Sequence, residues 1–377
     1  MRKIFLLIMI ILPIMIFAET SNFVAPEFIG SIYDTYSKNY LGADVSSMGN
    51  TGASRLGNIS HALLNPAALF SKNIEISFEY LSKKNKGELD NNRDMRYKSY
   101  SPVGLIGISL SPSKNWSTGF SISTPKSILY DDFQWNLPTN VRIIKRPAFK
   151  ETNYILTNSY RFSNLSLGLN LILANYFYED YGEYWSFEYL EINKTFMKYQ
   201  PGIYYNYHHF SFGSSYTFKT KQKFNLGEEK YNTTIPSKFT FESTYKLDKF
   251  SISAGFDYEK TSEQSNLYSD KKQYKFGMKI PLNTTVLRLG FFSSPSIFSG
   301  DINYYGLDIM DNSQHTANFS KADSFFLTGG LEFNLPYTKI MYSVVGDVSN
   351  NTPLEMIISI SANISSVNKK IMSVINE

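Results

Sequence analysis

After a short apolar start, the chain falls into about fourteen stretches of roughly ten residues, each with an aromatic or aliphatic face and a polar face. Connectors between them alternate short and long. A strand that crosses a bilayer at a tilt needs about this length, and a barrel keeps tight turns on one rim while its loops grow on the other. The reading is an all-β fold, a transmembrane antiparallel β-barrel of about 14 strands. A soluble sandwich could hold as many strands, but nothing would sort its loops by length.

The clearest segment is 238–247, where Phe239, Phe241, Tyr245 and Leu247 share a face with Ser243, opposite Lys238, Thr240, Glu242, Thr244 and Lys246. Asp248-Lys249 then turns the chain into 250–259, which repeats the scheme, so the pair reads as a hairpin. Further strands are expected at 73–82, 102–111, 115–124, 152–162, 164–176, 195–206, 208–219, 270–281, 284–294, 322–334, 337–347 and 354–364. Short connectors include single residues at Ser163 and Tyr207; long ones run over 125–151 and 177–194.

Arg2 and Lys3 precede an apolar run from Ile4 to Phe17, with Ala18 as a small residue for cleavage. Residues 1–18 therefore read as a signal peptide, too short for a spanning helix. Its loss takes the basic residues from 37 to 35 against 33 acidic ones, which points to no nucleic-acid partner. The absence of cysteine excludes a disulfide scaffold and thiolate metal sites. Aromatic residues make up 16% of the sequence while mean hydropathy is −0.24, as expected when rings face lipid and the lumen is wet.

Residues 19–71 break the strand rhythm and form a second unit, followed by the barrel over 72–364 and a polar tail over 365–377. This unit contains the small-residue tract from Leu41 to Ser54 and then His61-Ala62-Leu63-Leu64-Asn65-Pro66-Ala67-Ala68-Leu69. Glycines permit close packing and Asn65-Pro66 favours a turn, so the segment suits a compact plug in the lumen.

These residues resemble the N-terminal hatch of FadL/TodX-type outer-membrane transporters of long-chain fatty acids and other hydrophobic compounds. The likeness rests on the Gly-Ala start, the Met48-Gly49 step and Asn65-Pro66-Ala67-x-Leu69. It continues in Ile235-Pro236-Ser237-Lys238-Phe239 and in Leu287-Arg288-Leu289-Gly290-Phe291-Phe292. Ala68 stands where most relatives carry glycine, and the last strand ends near Ile364 without a terminal aromatic residue for the barrel assembly machinery. The resemblance implies Asn65, Pro66 and Ala67 as the hatch motif of a passive monomer in the outer membrane of a diderm bacterium. It implies a hydrophobic small-molecule ligand, surrounding outer-membrane lipid, and release through the wall. A related N-terminus occurs in PorV-like barrels, which would make the protein an interaction or secretion-associated barrel instead.

Loop residues Phe133, Trp135, Tyr184 and Trp185 could form an extracellular apolar docking patch, or a girdle at the lipid interface. A carboxylate ligand would need an inward cation, for which alternation offers Arg288 first and Arg161 next, with Lys198, Lys275 and Lys279. The four histidines lack metal-ligand spacing and no G-x-S-x-G marks a nucleophile. The expectation is therefore no enzyme, no cofactor and no metal.

Overall fold

The computed structural model describes residues 21–22, 41–70, 74–82, 84–90, 93–98, 102–130, 133–136, 142–145, 148–184, 186–226, 229–263, 269–295, 302–305, 314–317, 324–348 and 355–363. The leader over 1–18 and the tail over 365–377 lie outside these residues.

Fourteen antiparallel strands close into a barrel. They are β1 Glu75–Ser82, β2 Val103–Leu110, β3 Trp116–Tyr130, β4 Ala148–Phe162, β5 Leu165–Tyr184, β6 Ser186–Tyr207 and β7 Phe210–Thr217. The circuit continues through β8 Lys238–Lys246, β9 Ser251–Glu259, β10 Lys271–Leu282, β11 Thr285–Ser294, β12 Ser324–Asn334, β13 Thr338–Asp347 and β14 Glu355–Asn363. Each pairs with its neighbour in sequence, and β14 returns to β1 with Asn363 opposite Glu75 and Met356 opposite Ser82. Closure pairs the last strand with the first, so the cylinder has no open seam among the described residues, which is what lets its strands lie in hydrocarbon.

The alternation seen in the sequence sorts the faces. On β8, Thr240, Glu242 and Thr244 are buried in the lumen while Phe241 and Tyr245 are exposed on the outside. Outward rings and aliphatics such as Ile106, Leu169, Tyr199 and Phe291 coat the barrel. Trp116, Tyr160, Phe162, Tyr207, Phe210 and Tyr245 gather near the short-turn rim, as aromatic anchors do at a membrane interface.

Two connectors differ from the sequence reading. Leu165 lies opposite Phe162 and Phe210 opposite Tyr207, so the turns are Ser163-Asn164 and His208-His209 rather than single residues. A two-residue turn with its first residue at positive φ matches the strand twist, and Ser163, His208 and Asn283 adopt φ of 54°, 52° and 49°. The stretches 125–151 and 177–194 are in large part not loops either. The β5–β6 ladder continues without a break to Tyr184 opposite Ser186, so this hairpin rises above its neighbours.

Inside the barrel lie residues 41–70, nearly all buried. They form helix α1 (Ala43–Ser46), helix α2 (Ile59–Leu64) and a 3-10 turn at Pro66–Ala68. Asn58 caps α2 through its side chain, which accepts from the Ser60 amide. Elements this short do not hold themselves together, so their stability comes from the wall.

Candidate functional site

The lumenal segment is fixed by inward polar side chains of the wall. Glu242 on β8 accepts the Gly52, Ala53 and Ser54 amides at 2.8, 3.1 and 3.3 Å and the Ser54 hydroxyl at 2.7 Å. Glu79 on β1 takes the Ala43 amide and the Ser60 hydroxyl, each at 3.1 Å. Asn170 donates to the Ala62 carbonyl at 2.8 Å, Ser215 to that of Leu64 at 2.5 Å and Ser211 to that of Ser54 at 2.8 Å. Short helices leave amides and carbonyls without internal partners, and the wall supplies them.

Asn65, Pro66 and Ala67 show why that order of residues is needed. The Asn65 oxygen accepts the Ala67 amide at 3.1 Å and so starts the 3-10 turn, in which Pro66 sits at an N-terminal position where no amide is required. Its Nδ2 donates to Ala53 at 2.8 Å and to the Ile203 carbonyl of β6 at 2.9 Å. Backbone meets backbone here only because β5 and β6 carry Gly168 and Gly202. A Cβ on Gly168 would stand 2.3 Å from the Ala67 nitrogen, and one on Gly202 would stand 2.1 Å from the Asn65 Oδ1. Ala68, where glycine was noted in relatives, is buried in the turn at negative φ and carries its methyl without strain.

A charged cluster joins the segment to β11. Asp44 Oδ1 lies 3.1 Å from Arg55 Nη1 and 3.1 Å from His61 Nε2, and Asp44 Oδ2 lies 3.2 Å from Arg288 Nη2. Arg288 is also 2.6 Å from Glu332 on β12. Burial alone would raise the Asp44 carboxyl, but the Arg288 charge, with Arg55 behind it, holds it well below the usual carboxylate range. Burial holds His61 below the ordinary histidine value despite the pull of Asp44. Folding therefore favours neutral His61, and the stability this gives is complete above about pH 6.5 and is lost as the pH falls toward the depressed value. Melting of the purified barrel between pH 7.5 and 5 should show a loss of at most about 1.4 kcal/mol per pH unit from this group, absent in His61→Gln.

Lys279 on β10 is the cross-strand neighbour of Arg288, and the remaining inward cations lie elsewhere around the lumen. The Arg161 guanidinium sits 4.3 Å from the centre of the Phe70 ring, near the short-turn rim. Lys198 pairs with Glu151 at 2.6 Å; Lys275 and Lys238 share Asp257 at 2.6 and 3.0 Å. Alternation identifies Arg161, Lys198 and Lys275 as inward. It could not reveal that Asp44, from a segment outside the strand rhythm, would meet Arg288.

On the long-loop side of the segment a polar pocket is lined by Leu41, Asn50, Lys238, Asp257, Glu259, Lys271, Gln273 and Ser294. Next to it on β11, Phe292 begins an apolar cluster with Phe326, Val345, Ile357, Leu81 and Leu105, packed on Ala43, Ile59 and Ala62. The lumen thus sets cationic and apolar surfaces side by side. Sequence periodicity missed this cluster because its members occupy inward positions otherwise held by polar residues.

The wall is irregular on both sides of the β2–β3 pair. On β3, Ser123 lies opposite Asn153 and Lys126 opposite Glu151, so Thr124 and Pro125 face a single residue of β4. Proline has no amide to donate to the ladder. On β2, Leu105 lies opposite Glu79 and Val103 opposite Tyr80, which leaves Gly104 as a second bulge. Direct β2–β3 pairing ends at Leu105 opposite Ser123.

The expected docking residues divide between described and undescribed positions. Phe133 and Trp135 lie on Phe133–Asn136, paired with Arg142–Lys145, whose Ile144 lies opposite Glu183 on β5, next to Tyr184. Backbone pairing thus joins the two loops at one sheet edge. Trp185 lies outside the described residues.

No family model and no curated protein matches the sequence. Solved structures do match. The P. putida toluene transporter TodX superposes with a TM-score of 0.63 at 12% identity, over 86% of this chain and 99% of that one. The chain has the FadL/TodX fold. A P. aeruginosa FadL homologue gives a TM-score of 0.53 at 12% identity, over 85% of this chain and 97% of that one. The CymD monoaromatic hydrocarbon channel gives 0.57 at 11% identity, over 86% and 97%. Within the FadL/TodX fold, the identities are low enough that the arrangement of charges in this lumen must be read from this chain alone.

Proposed function

We propose that the protein is a monomeric, passive route for hydrophobic or amphipathic solutes, of the long-chain fatty acid kind, across the outer membrane of a diderm bacterium. Outer-membrane lipid surrounds its apolar coat and the barrel assembly machinery inserts it. Residues 41–70 serve as the hatch. The observation that carries the reading is a closed barrel of FadL/TodX fold whose lumen is occupied by a segment tied to the wall through side chains rather than through strand pairing.

A solute would gather at the sheet edge bearing Phe133, Trp135 and Tyr184, with Trp185 as the further expected docking residue, then rest over the hatch with its tail on the Phe292 cluster. Its head would meet the lysine-lined pocket, while Arg288 and Arg161 would become available to a carboxylate only once the hatch shifts. The bulges flanking β2 and β3 make that pair the place for lateral release. Release into lipid is favoured by about 25 cal/mol per Å² of apolar surface kept from water.

The chain has no cysteine, so a disulfide can be placed on the seam without side reactions. Leu105 and Ser123 are direct cross-strand partners with inward side chains, suited to a bridge. In cells producing the Leu105→Cys/Ser123→Cys barrel, uptake of radiolabelled oleate should fall to that of cells lacking the protein, and dithiothreitol should restore it. Undiminished uptake by the oxidised variant would refute release at this seam. If wild-type cells gain no uptake across a range of hydrophobic solutes, the PorV-like reading takes its place.

A further inference from the structure

The recess on the long-loop side of residues 41–70 brings that segment and β8 to β11 to one place. Lys238 lies opposite Glu259 and Glu259 opposite Lys271, while the next inward row sets Asp257 opposite Gln273. Leu41 and Asn50 line the recess from the segment and Ser294 from β11. It is partly open and small, with room for a polar head rather than a whole solute. Asp257 is held between Lys238 at 3.0 Å and the fully buried Lys275 at 2.6 Å. Lys271 and Glu259 are cross-strand partners, yet neither makes an ion pair among the described residues. The side chains of Asn50, Gln273 and Ser294 likewise have no hydrogen bond among the described residues. Asn50 is only 5% exposed and is held at a φ of 61°, in the left-handed region that asparagine tolerates. A buried amide without a partner is costly, so one that lines a recess beside a separated lysine and glutamate points to a ligand that supplies both donor and acceptor.

We propose that this recess prefers, among hydrophobic solutes, those whose polar head is uncharged and both donates and accepts hydrogen bonds, such as a primary amide, over those that end in a carboxylate. The head's carbonyl accepts from Lys271 and Asn50, and its N–H groups donate to Glu259 and Gln273. A carboxylate has no proton to give, loses more hydration on entry, and meets Glu259 as a like charge beside the Lys271 that attracts it. Counting Lys275, three lysines stand near two carboxylates, but Lys238 and Lys275 both turn to Asp257, so Glu259 and Lys271 decide at the recess itself. The inference rests on the transport reading for its solutes and assigns the class of their head groups.

Equilibrium binding of radiolabelled decanamide and decanoate at pH 7.5 to the full-length barrel in lipid nanodiscs, with binding to empty nanodiscs subtracted, tests it. Decanamide should bind the wild type about tenfold more tightly than decanoate. Glu259→Gln should tighten decanoate about tenfold and change decanamide by less than about twofold, since glutamine keeps an acceptor and removes the like charge. Lys271→Met should weaken both probes, and Lys272→Met, exposed on the outward face of the same strand, should change neither. The wild-type comparison requires no variant to fold. Equal binding of the two probes, tighter binding of decanoate, or decanoate unmoved by Glu259→Gln would overturn the assignment and leave the transport reading standing. Binding of neither probe would overturn it as well, and oleate uptake by cells would still decide the transport reading separately.

Discussion

Replacing Glu242 by alanine is expected to unseat residues 41–70 from the lumen and to raise the conductance of the barrel in planar bilayers well above that of the wild type. The Glu242 carboxylate accepts three consecutive backbone amides and a hydroxyl of residues 52–54. Alanine would leave those buried donors without acceptors, at a cost of about 3–5 kcal/mol to the seating of the segment. Glu242→Gln, which keeps one accepting oxygen, should fall between. The barrel itself should survive, since β8 keeps its ladders with β7 and β9. Unchanged conductance, with Arg55 still protected from trypsin, would show that Glu242 does not hold the segment down.

Asp44→Ala should be comparably severe for a different reason. One carboxylate serves Arg55, His61 and Arg288, and among the described residues its removal leaves Arg55 with no carboxylate and Arg288 with Glu332 alone. Stranding buried charge in this way costs about 3–5 kcal/mol. Residues 41–70 should become sensitive to protease in the purified protein while the strand signal in circular dichroism is retained. Adding Arg288→Met to Asp44→Ala should recover part of the loss, because it removes one of the stranded cations. If the double variant is no better than the single one, the charge pairing is not what seats α1.

Strand number and facing were legible because lipid and water impose opposite demands on alternate residues. The fourteen expected segments correspond one to one with β1–β14, and Thr240, Glu242 and Thr244 face the lumen as the alternation of 238–247 required. Turn residues were less legible. Tyr207 has the pattern of a connector, yet it completes a strand opposite Phe210, since the ladder decides where reversal occurs. Asn65-Pro66-Ala67 stood out as a motif, but its use did not. What fixes it is a carbonyl of Ile203 and glycines at 168 and 202, more than a hundred residues away. The Phe292 cluster and the Asp44 cluster were invisible for the same reason. Both depend on which lumenal atom meets which wall atom, and periodicity carries no information on that.

The joining of β14 to β1 sets an order on biogenesis. Residues 41–70 leave the ribosome before any of the fourteen barrel strands, yet the cylinder that encloses them is completed only by β14, from Glu355. The stopper must therefore be folded in while the staves are still being assembled, because the closed cask offers it no sideways entrance. A chain cut before β14 should leave Arg55 and its neighbours open to digestion, however well the first thirteen strands have formed.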